Sequence, residues 1–224
     1  MEILMEPPTS KLFEATAMPD RDWWQALWPD PKRVLEDVGV VPGMHVVDLC
    51  CGDGYFTAPL GQLVADGTVL AVELSADMMA AAHTEVEEAR LGNVTFIQDD
   101  AMKLAELVPD PVDLVLIANT FHGAPDHTGL ARAVRATLRD DGIFVVINWW
   151  PRPREETAVL GKPRGPRFEL RFSPEQVAAW VEPAGFRLRE VKEVGPYHYG
   201  AIFAGSAITS LWTQRSMGRD LEVG

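Results

Sequence analysis

The stretch from Val46 to Thr57 constrains the fold of this chain more than any other. An apolar run ends in Asp48, a short turn with Gly52 and Gly54 follows, and a helix is predicted next. The glycines allow the backbone to turn sharply and to come close to a ligand. The helix behind them offers unpaired backbone N–H groups at its N-terminus. The order of strand, glycine turn and helix predicts a nucleotide-binding crevice in an α/β sheet.

The spacing of the glycines argues against a dinucleotide site. A G-x-G-x-x-G pattern would need glycines where the chain has Cys50, Gly52 and Tyr55. Residues 48–54, Asp-Leu-Cys-Cys-Gly-Asp-Gly, instead resemble the first motif of the class I S-adenosylmethionine-dependent methyltransferases, an acid followed by alternating glycines. Cys50 stands where that family has its first glycine. Because Cys is small, we expect the turn to be kept, with the thiol turned away from the cofactor.

Length and composition indicate one globular domain that is large enough to bury a hydrophobic core. The chain has 224 residues, 47% of them hydrophobic and 24% charged. The apolar runs around 44–50, 112–118 and 143–150 are too short to cross a bilayer. The N-terminus is acidic and lacks the layout of a signal peptide. We therefore expect a cytoplasmic protein with no membrane partner.

Charge and cysteine content exclude further classes. The formal net charge of −13 disfavours nucleic acid as a partner, because such binding depends on clustered Lys and Arg. Two adjacent cysteines, Cys50 and Cys51, cannot build a disulfide framework. No other metal-ligating residues stand near them at a suitable spacing, so a structural role and no metal are predicted. A small-molecule partner is expected, and a homodimer is left open.

Strand and helix signals alternate along the chain. They predict an α/β fold, a Rossmann-like three-layer sandwich whose seven-stranded, mostly parallel sheet ends in a C-terminal antiparallel hairpin. Predicted strands span about 44–49, 68–73, 94–98, 113–118, 143–149, 186–194 and 199–204. Predicted helices comprise two short ones within 19–39, then about 55–65, 75–91, 101–107, 128–138 and 173–183. A turn is expected at 140–142.

The resemblance divides the chain into three segments. Residues 1–40 are predicted to be an N-terminal helical lid or cap that begins with a loose tail. The resemblance implies that residues 41–205 are the methyltransferase domain, with a substrate-side loop at 151–172. Residues 206–224 are predicted to be a C-terminal tail or helix. The resemblance covers about residues 30–205.

The resemblance implies that S-adenosyl-L-methionine binds where successive strands end, with S-adenosyl-L-homocysteine as the product. Glu73, about 20 residues past the turn, would accept hydrogen bonds from the ribose hydroxyls. The acid of Asp100 would meet the adenine amino group, and Asn119 would lie near the methyl group. The residues implied in cofactor binding are Asp48, Cys50, Gly52, Gly54, Tyr55, Glu73, Leu74, Asp100, Ala101, Met102 and Asn119.

The acceptor side is less defined by the pattern. His122 and Asn119 are the catalytic candidates, although a histidine after strand 4 also serves as loop scaffold. Loop 151–172 holds six basic and three acidic residues, so we expect it to bind an acidic group of the acceptor or of a second subunit, unless it is only a solvated charged loop. Candidate substrate residues are Trp23, Trp24, Trp149, Arg152, Arg154, Tyr197 and His198, and the last two are expected in the turn of the C-terminal hairpin. The N-terminal tryptophans, Trp23, Trp24 and Trp28, could equally staple their helix to the core.

The expected activity is in-line methyl transfer to a small molecule without a metal. The residues after strand 4, Ala118 and Asn119, lack the aspartate of the cation-dependent catechol-type enzymes, and no Asn/Asp-Pro-Pro-aromatic motif of the amide and base N-methyltransferases is present. Two alternatives remain. One is a non-catalytic S-adenosylmethionine-binding protein or partner subunit. The other, a nicotinamide dehydrogenase, is disfavoured by the glycine spacing and the antiparallel ending.

Overall fold

Seven strands form the main sheet in the computed structural model, which describes residues 21–206, and six of them run in the same direction. Their order is β3-β2-β1-β4-β5-β9-β8, and β9 runs antiparallel to both β5 and β8. A small hairpin of β6 and β7 stands apart from this sheet. The strands are β1 (His45–Leu49), β2 (Thr68–Glu73), β3 (Val94–Gln98), β4 (Val112–Ala118), β5 (Leu138–Trp149), β6 (Ala158–Val159), β7 (Lys162–Pro163), β8 (Phe186–Glu193) and β9 (His198–Gly205).

Helices cover both faces of the sheet. They are α1 (Arg21–Leu27), α2 (Pro31–Asp37), α3 (Thr57–Val64), α4 (Ala76–Glu88), α5 (Leu104–Leu107), α6 (His127–Thr137) and α7 (Pro174–Val181). Along β5, Phe144 and Val146 pack on the α5–α7 side, whereas Val145 and Ile147 pack on the side of α1, α2 and α3. This alternation follows from the two-residue side-chain period of a strand, and it confirms the predicted three-layer sandwich.

Local sequence signals explain where several helices begin. The Ser75 hydroxyl accepts a hydrogen bond from the backbone N–H of Met78 and caps α4. Ser173 and Gln176 form a reciprocal capping box at α7, where Pro174 occupies the first turn. The element after α7 ends at Gly185, whose φ of 93° is left-handed.

The predicted elements are confirmed, with ends that differ by a few residues, and two regions differ in kind. The turn predicted at 140–142 is a bulge inside β5, because the β4–β5 register jumps from Val112↔Leu138 to Leu114↔Ile143. The predicted loop 151–172 contains the β6–β7 hairpin and short 3-10 turns. The predicted N-terminal tail and residues 207–224 lie outside the described residues. No helix within 21–206 is long and apolar enough to span a bilayer.

Arg171 organises segment 151–172 from the inside. Its guanidinium donates to the backbone oxygens of Arg152, Arg164 and Pro166 and to the hydroxyl of Thr157, at 2.8–3.1 Å. Only 2% of Arg171 is exposed. One buried cation therefore ties together four points of a segment that has little regular structure of its own.

We expect Arg171→Lys to loosen this segment and to lower the free energy of unfolding by about 2 to 3 kcal/mol, because an ammonium cannot reach several acceptors at once and hydrogen bonds to charged groups are worth roughly 1.5 to 3 kcal/mol each. Urea unfolding gives the stability, and limited proteolysis reports whether cleavage appears within 151–172. Arg189→Lys, on exposed β8, is the control. Equal stability and protease resistance of both variants would contradict the structural role of Arg171.

Candidate active site

The turn after β1 is built from left-handed residues. Cys50, Gly52 and Gly54 have φ values of 59°, 56° and 82°. Cys50 thus adopts the conformation for which glycine is normally chosen. A Cβ at Gly54 would come within 2.8 Å of the Ala82 backbone, so α4 packs directly on the turn at a place where only glycine fits. The turn brings bare backbone to the carboxyl edge of the sheet.

Three predicted carboxylates converge on this turn. The pKa of the Cys50 thiol is raised, first by burial and then by the charges of Glu73, Asp48 and Asp100. All three acids, from the ends of β1 and β2 and the segment after β3, therefore lie within electrostatic reach of one side chain. Cys50 stays a neutral thiol, which makes it a small packing residue rather than a nucleophile.

Asp48, the penultimate residue of β1, lies inside the protein. It is 3% exposed, and its carboxylate accepts a 2.7 Å hydrogen bond from the Thr57 hydroxyl at the start of α3. Burial raises its pKa to about 7, partly offset by Thr57, while the charge of Glu73 adds to the increase. The residue is therefore a buried acid whose negative charge lacks a full counter-charge from its protein neighbours.

Glu73 joins the β2 end to the glycine turn. Its Oε2 accepts a 3.0 Å hydrogen bond from the backbone N–H of Gly52, and its Oε1 accepts 2.9 Å bonds from the N–H groups of Leu74 and Ser75. A carboxylate has about four lone-pair positions, so this arrangement leaves acceptor capacity for a further ligand. These three backbone bonds fix its position.

Asp100 and the two residues behind it form a short capped turn. Asp100 Oδ1 accepts a 2.9 Å hydrogen bond from the Met102 N–H, and Ala101 is buried below. The preceding Asp99 forms an ion pair with Lys103 at 2.8 Å, so the charge of Asp99 has a counter-charge of its own. The segment presents one carboxylate and a half-buried methionine at the edge of the crevice.

Helix α1 is tied to the glycine turn by contacts that sequence reasoning missed. Arg21 pairs with Asp53 at 3.1 Å and with Glu85 at 2.6 Å. The Tyr55 hydroxyl donates a 2.6 Å hydrogen bond to the carbonyl of Trp28, just past α1. Arg21 and Asp53 are 32 positions apart, and no sequence spacing signals such a pair.

Asn119, His122 and Asn148 lie where β4 and β5 end. Asn119 has a left-handed φ of 57°, and its N–H donates to the Ile147 carbonyl at 2.9 Å. Burial lowers the pKa of His122 to about 4, and the polar side chain of Asn148 offsets a smaller part of this decrease. His122 is therefore neutral at physiological pH. Asn148, fully buried and not predicted, uses its Oδ1 to accept the Trp149 N–H at 3.0 Å.

Three buried polar atoms in this group have no hydrogen-bond partner within the described chain: Asn119 Oδ1, His122 Nδ1 and Asn148 Nδ2. Unpaired buried polar atoms are costly and are rare away from functional sites. Two strand ends therefore bring unsatisfied donors and acceptors to the same edge as the carboxylates.

A second group of predicted residues forms an aromatic cluster beside α1. Its members are Trp23, Trp24, Trp28, Trp149, Tyr197 and His198. The ring of His198 lies 4.5 Å from Trp28 and 4.1 Å from Trp149, and it is fully buried. Its predicted place in a hairpin turn is wrong, because β9 begins at His198 and its ring enters the core.

The cations found beside this cluster differ from the predicted ones. Arg164 lies over Trp23 with its Cζ 5.0 Å from the ring centre, and Arg171 lies 4.9 Å over Trp149. The predicted substrate cations, Arg152 and Arg154, are exposed. Within residues 21–206, no cluster of three or more His, Cys, Asp or Glu residues is arranged to hold a metal ion.

The conformation of Cys50 leads to a stability prediction. Cys50→Gly should stay within about 1 kcal/mol of the wild type, because relief of the left-handed strain offsets the added freedom of the unfolded chain. Cys50→Val should lose about 2 kcal/mol or more, since a β-branched residue at positive φ is an outlier. Urea unfolding measures both, and Cys50→Ser isolates the loss of the thiol. Equal tolerance of glycine and valine would contradict the assignment.

The raised pKa of Asp48 predicts a pH-dependent stability. With a folded pKa of about 7 above the ordinary value of 3.8, stability is fully present below about pH 4 and is lost as the pH rises through 7. One pKa unit corresponds to about 1.4 kcal/mol, so the loss is of the order of 2 to 4 kcal/mol. Asp48→Asn keeps the Thr57 bond and should be the more stable protein at pH 8.

Thermal unfolding of wild type and Asp48→Asn between pH 4 and 8 checks this, with exposed Asp66→Asn as the control. The expected result is a stability difference that grows with pH for Asp48→Asn alone. A difference independent of pH would show that Asp48 is not the titrating group.

Comparison with known proteins agrees with this geometry. Residues 46–142 match the sequence profile of a methyltransferase domain. The demethylmenaquinone methyltransferase of Staphylococcus aureus (strain MRSA252) is 30% identical over 117 residues, which is 52% of this chain and 47% of that protein. That of Lactococcus lactis subsp. lactis is 26% identical over 138 residues, 61% of this chain and 52% of the relative.

Among solved structures, a SAM-dependent methyltransferase from Aquifex aeolicus superposes with a TM-score of 0.70 at 26% identity, covering 82% of this chain and 93% of that one. The chain spans about half the length of the curated relatives it matches. The profile match and these relatives, together with the sheet order and the glycine turn, support a class I S-adenosylmethionine-dependent methyltransferase, the family to which residues 46–142 are similar.

Proposed function

We propose that this protein transfers a methyl group from S-adenosyl-L-methionine to a small-molecule acceptor. The observation that carries the proposal is the convergence of Asp48, Glu73 and Asp100 on a turn of left-handed residues. Open α/β sheets bind ligands at this carboxyl edge. A buried, negatively charged edge suits a ligand that carries positive charge, and S-adenosyl-L-methionine carries a sulfonium and an ammonium group.

The residues present fit this cofactor. Asp48 is a buried acid with a raised pKa and only a hydroxyl as its hydrogen-bond donor, so a cation close to it would favour its ionised form. Glu73 keeps acceptor positions for hydroxyl groups while its backbone bonds hold it in place. Asp100 and the Met102 N–H offer an acceptor and a donor at the neighbouring position. When bound, the cofactor supplies an electrophilic methyl group on an excellent leaving group.

With that leaving group in place, the protein has mainly to align the acceptor atom and to exclude water. The unpaired buried atoms of Asn119, His122 and Asn148 support a role of these residues in the first task. A pKa of about 4 makes His122 a weak base, so its expected role is to accept or donate a hydrogen bond to the acceptor. This role suits an acceptor that is already acidic and needs little help to lose its proton.

The relatives support the reaction more than the acceptor. Their matched profile covers residues 46–142, which hold the glycine turn and the three acids. Helix α1, the segment 151–172 and strand β9 all lie outside that profile match. The acceptor named for those relatives, demethylmenaquinone, is thus one candidate, while the walls of the acceptor site have to be read from this chain.

Glu73→Gln should weaken the binding of S-adenosyl-L-homocysteine by at least about tenfold, because hydrogen bonds to a charged acceptor are worth roughly 1.5 to 3 kcal/mol and 1.4 kcal/mol is tenfold in affinity. Calorimetric titration measures it, with circular dichroism to verify folding. Exposed Glu87→Gln in α4 has the same chemistry and should bind like the wild type. Unchanged affinity in Glu73→Gln would remove the assignment of Glu73.

A wild type that fails to bind S-adenosyl-L-homocysteine would overturn the proposed function as a whole. Binding without transfer of a labelled methyl group to any compound of an acceptor screen would favour the alternative, a non-catalytic binding protein or partner subunit. Transfer that is lost in Glu73→Gln would establish the enzyme.

A further inference from the structure

The aromatic cluster contains unpaired hydrogen-bonding groups that the cofactor site does not use. Within residues 21–206, Trp24 Nε1 and both ring nitrogens of His198 have no partner. Trp24 is 6% exposed and His198 is fully buried. Leaving one such group unpaired in a core costs roughly 1 to 3 kcal/mol. Two side chains with unpaired polar atoms in one contiguous cluster, Trp24 and His198, indicate a polar ligand among the rings.

A cation borders the same cluster. Arg164 covers Trp23, and its Nε is a further buried atom without a partner in the described chain. The backbone of Arg164, not its side chain, holds the segment: its N–H donates to the Thr157 carbonyl, and its carbonyl accepts from Arg171. The guanidinium of Arg164 is therefore free of that structural task.

The residues of the cluster differ in exposure to solvent. Trp23, Tyr197 and Arg164 are partly exposed, whereas Trp24, Trp28, Trp149 and His198 are buried. Tyr197 is nearly parallel to Trp149, at an angle of 9°, and its hydroxyl donates to the Ala158 carbonyl of β6. Helix α1 also packs against β6. Flat surfaces that face polar donors are suited to a planar ring with a polar substituent.

We propose that the acceptor is an aromatic carboxylate, whose carboxylate is held by Arg164, Trp24 and His198 while its ring packs on the tryptophans of the cluster. The inference rests on the proposed function and adds the class of acceptor to it. Trp24 Nε1–H and Arg164 Nε–H are donors, and the neutral His198 ring supplies a third N–H. Three donors and one positive charge match the lone pairs and the charge of a carboxylate.

Other ligand classes fit less well. A cationic acceptor would meet Arg164 and Arg171 and be repelled. A neutral hydrocarbon ring would leave the N–H groups of Trp24, Arg164 and His198 buried and unpaired. The positive charge of Arg164 and Arg171 beside the aromatic cluster also contrasts with the cofactor site, where Asp48, Glu73 and Asp100 repel an anion. An acidic acceptor is therefore directed to its own side of the crevice.

The test compares a matched pair of probes, 1-hydroxy-2-naphthoate and the neutral 1-naphthol, by calorimetry in saturating S-adenosyl-L-homocysteine. The acid should bind at least about tenfold more tightly than the phenol. Arg164→Gln and His198→Phe should each reduce the affinity for the acid by about tenfold or more and leave that for 1-naphthol within about twofold. His198→Phe keeps the ring stacking and removes the nitrogens.

Lys162→Gln removes one charge from an exposed position of the same segment and should bind both probes like the wild type. Circular dichroism checks folding, and if His198→Phe does not fold, Arg164→Gln decides alone. Equal affinity for acid and phenol, no binding of the acid, or equal losses in Lys162→Gln and Arg164→Gln would each overturn the proposal. A separate titration with S-adenosyl-L-homocysteine shows whether the cofactor site itself is intact, so the two proposals fail independently.

Discussion

The arrangement of the site depends on the three carboxylates that gather at the carboxyl edge of the parallel sheet. Parallel strands must all end on the same side, and here Asp48 is the penultimate residue of β1, Glu73 ends β2 and Asp100 follows β3. Among residues 21–206, the backbone N–H groups of Gly52 and of residues 74, 75 and 102, with the Thr57 hydroxyl, donate hydrogen bonds to these acids. Such dipoles position a carboxylate without neutralising it. The site therefore holds stored negative charge, and a cationic ligand would stabilise it.

The same edge explains the tolerance for Cys50. A left-handed residue is needed there because the chain must leave β1, turn back and enter α3 within a few residues. At Cys50 the structural need is for the φ angle, whereas at Gly54 the close approach of α4 also excludes a side chain. A small side chain at Cys50 can therefore occupy space that glycine would leave empty, at the cost of some backbone strain.

The order of elements, the sheet topology and the edge that carries the site could be predicted from sequence, because hydrophobic periodicity and turn residues act locally. The cofactor roles of Glu73 and Asp100 came from the family resemblance, which assigns such acids to the ends of successive strands, and they stay a prediction. The ties that fix the acceptor side could not be predicted. No sequence periodicity encodes the ion pair between Arg21 and Asp53 or the hydrogen bonds from Arg171 to backbone carbonyls of segment 151–172. His198 was placed in a turn, since its fit between Trp28 and Trp149 emerges only when β9 pairs with β5.

Opposite charges on the two halves of the crevice have a consequence for the chemistry we propose. A cationic methyl donor on the acidic half and an anionic acceptor on the half with Arg164 and Arg171 attract each other, and methyl transfer to an ionised oxygen would remove both reacting charges. In a site from which water is excluded, such charge-cancelling reactions gain from the low dielectric, because the ground state loses more solvation than the transition state. The buried Asp48 and the neutral His122 fit this picture. Rate would then come from burial and alignment, with little need for a strong base.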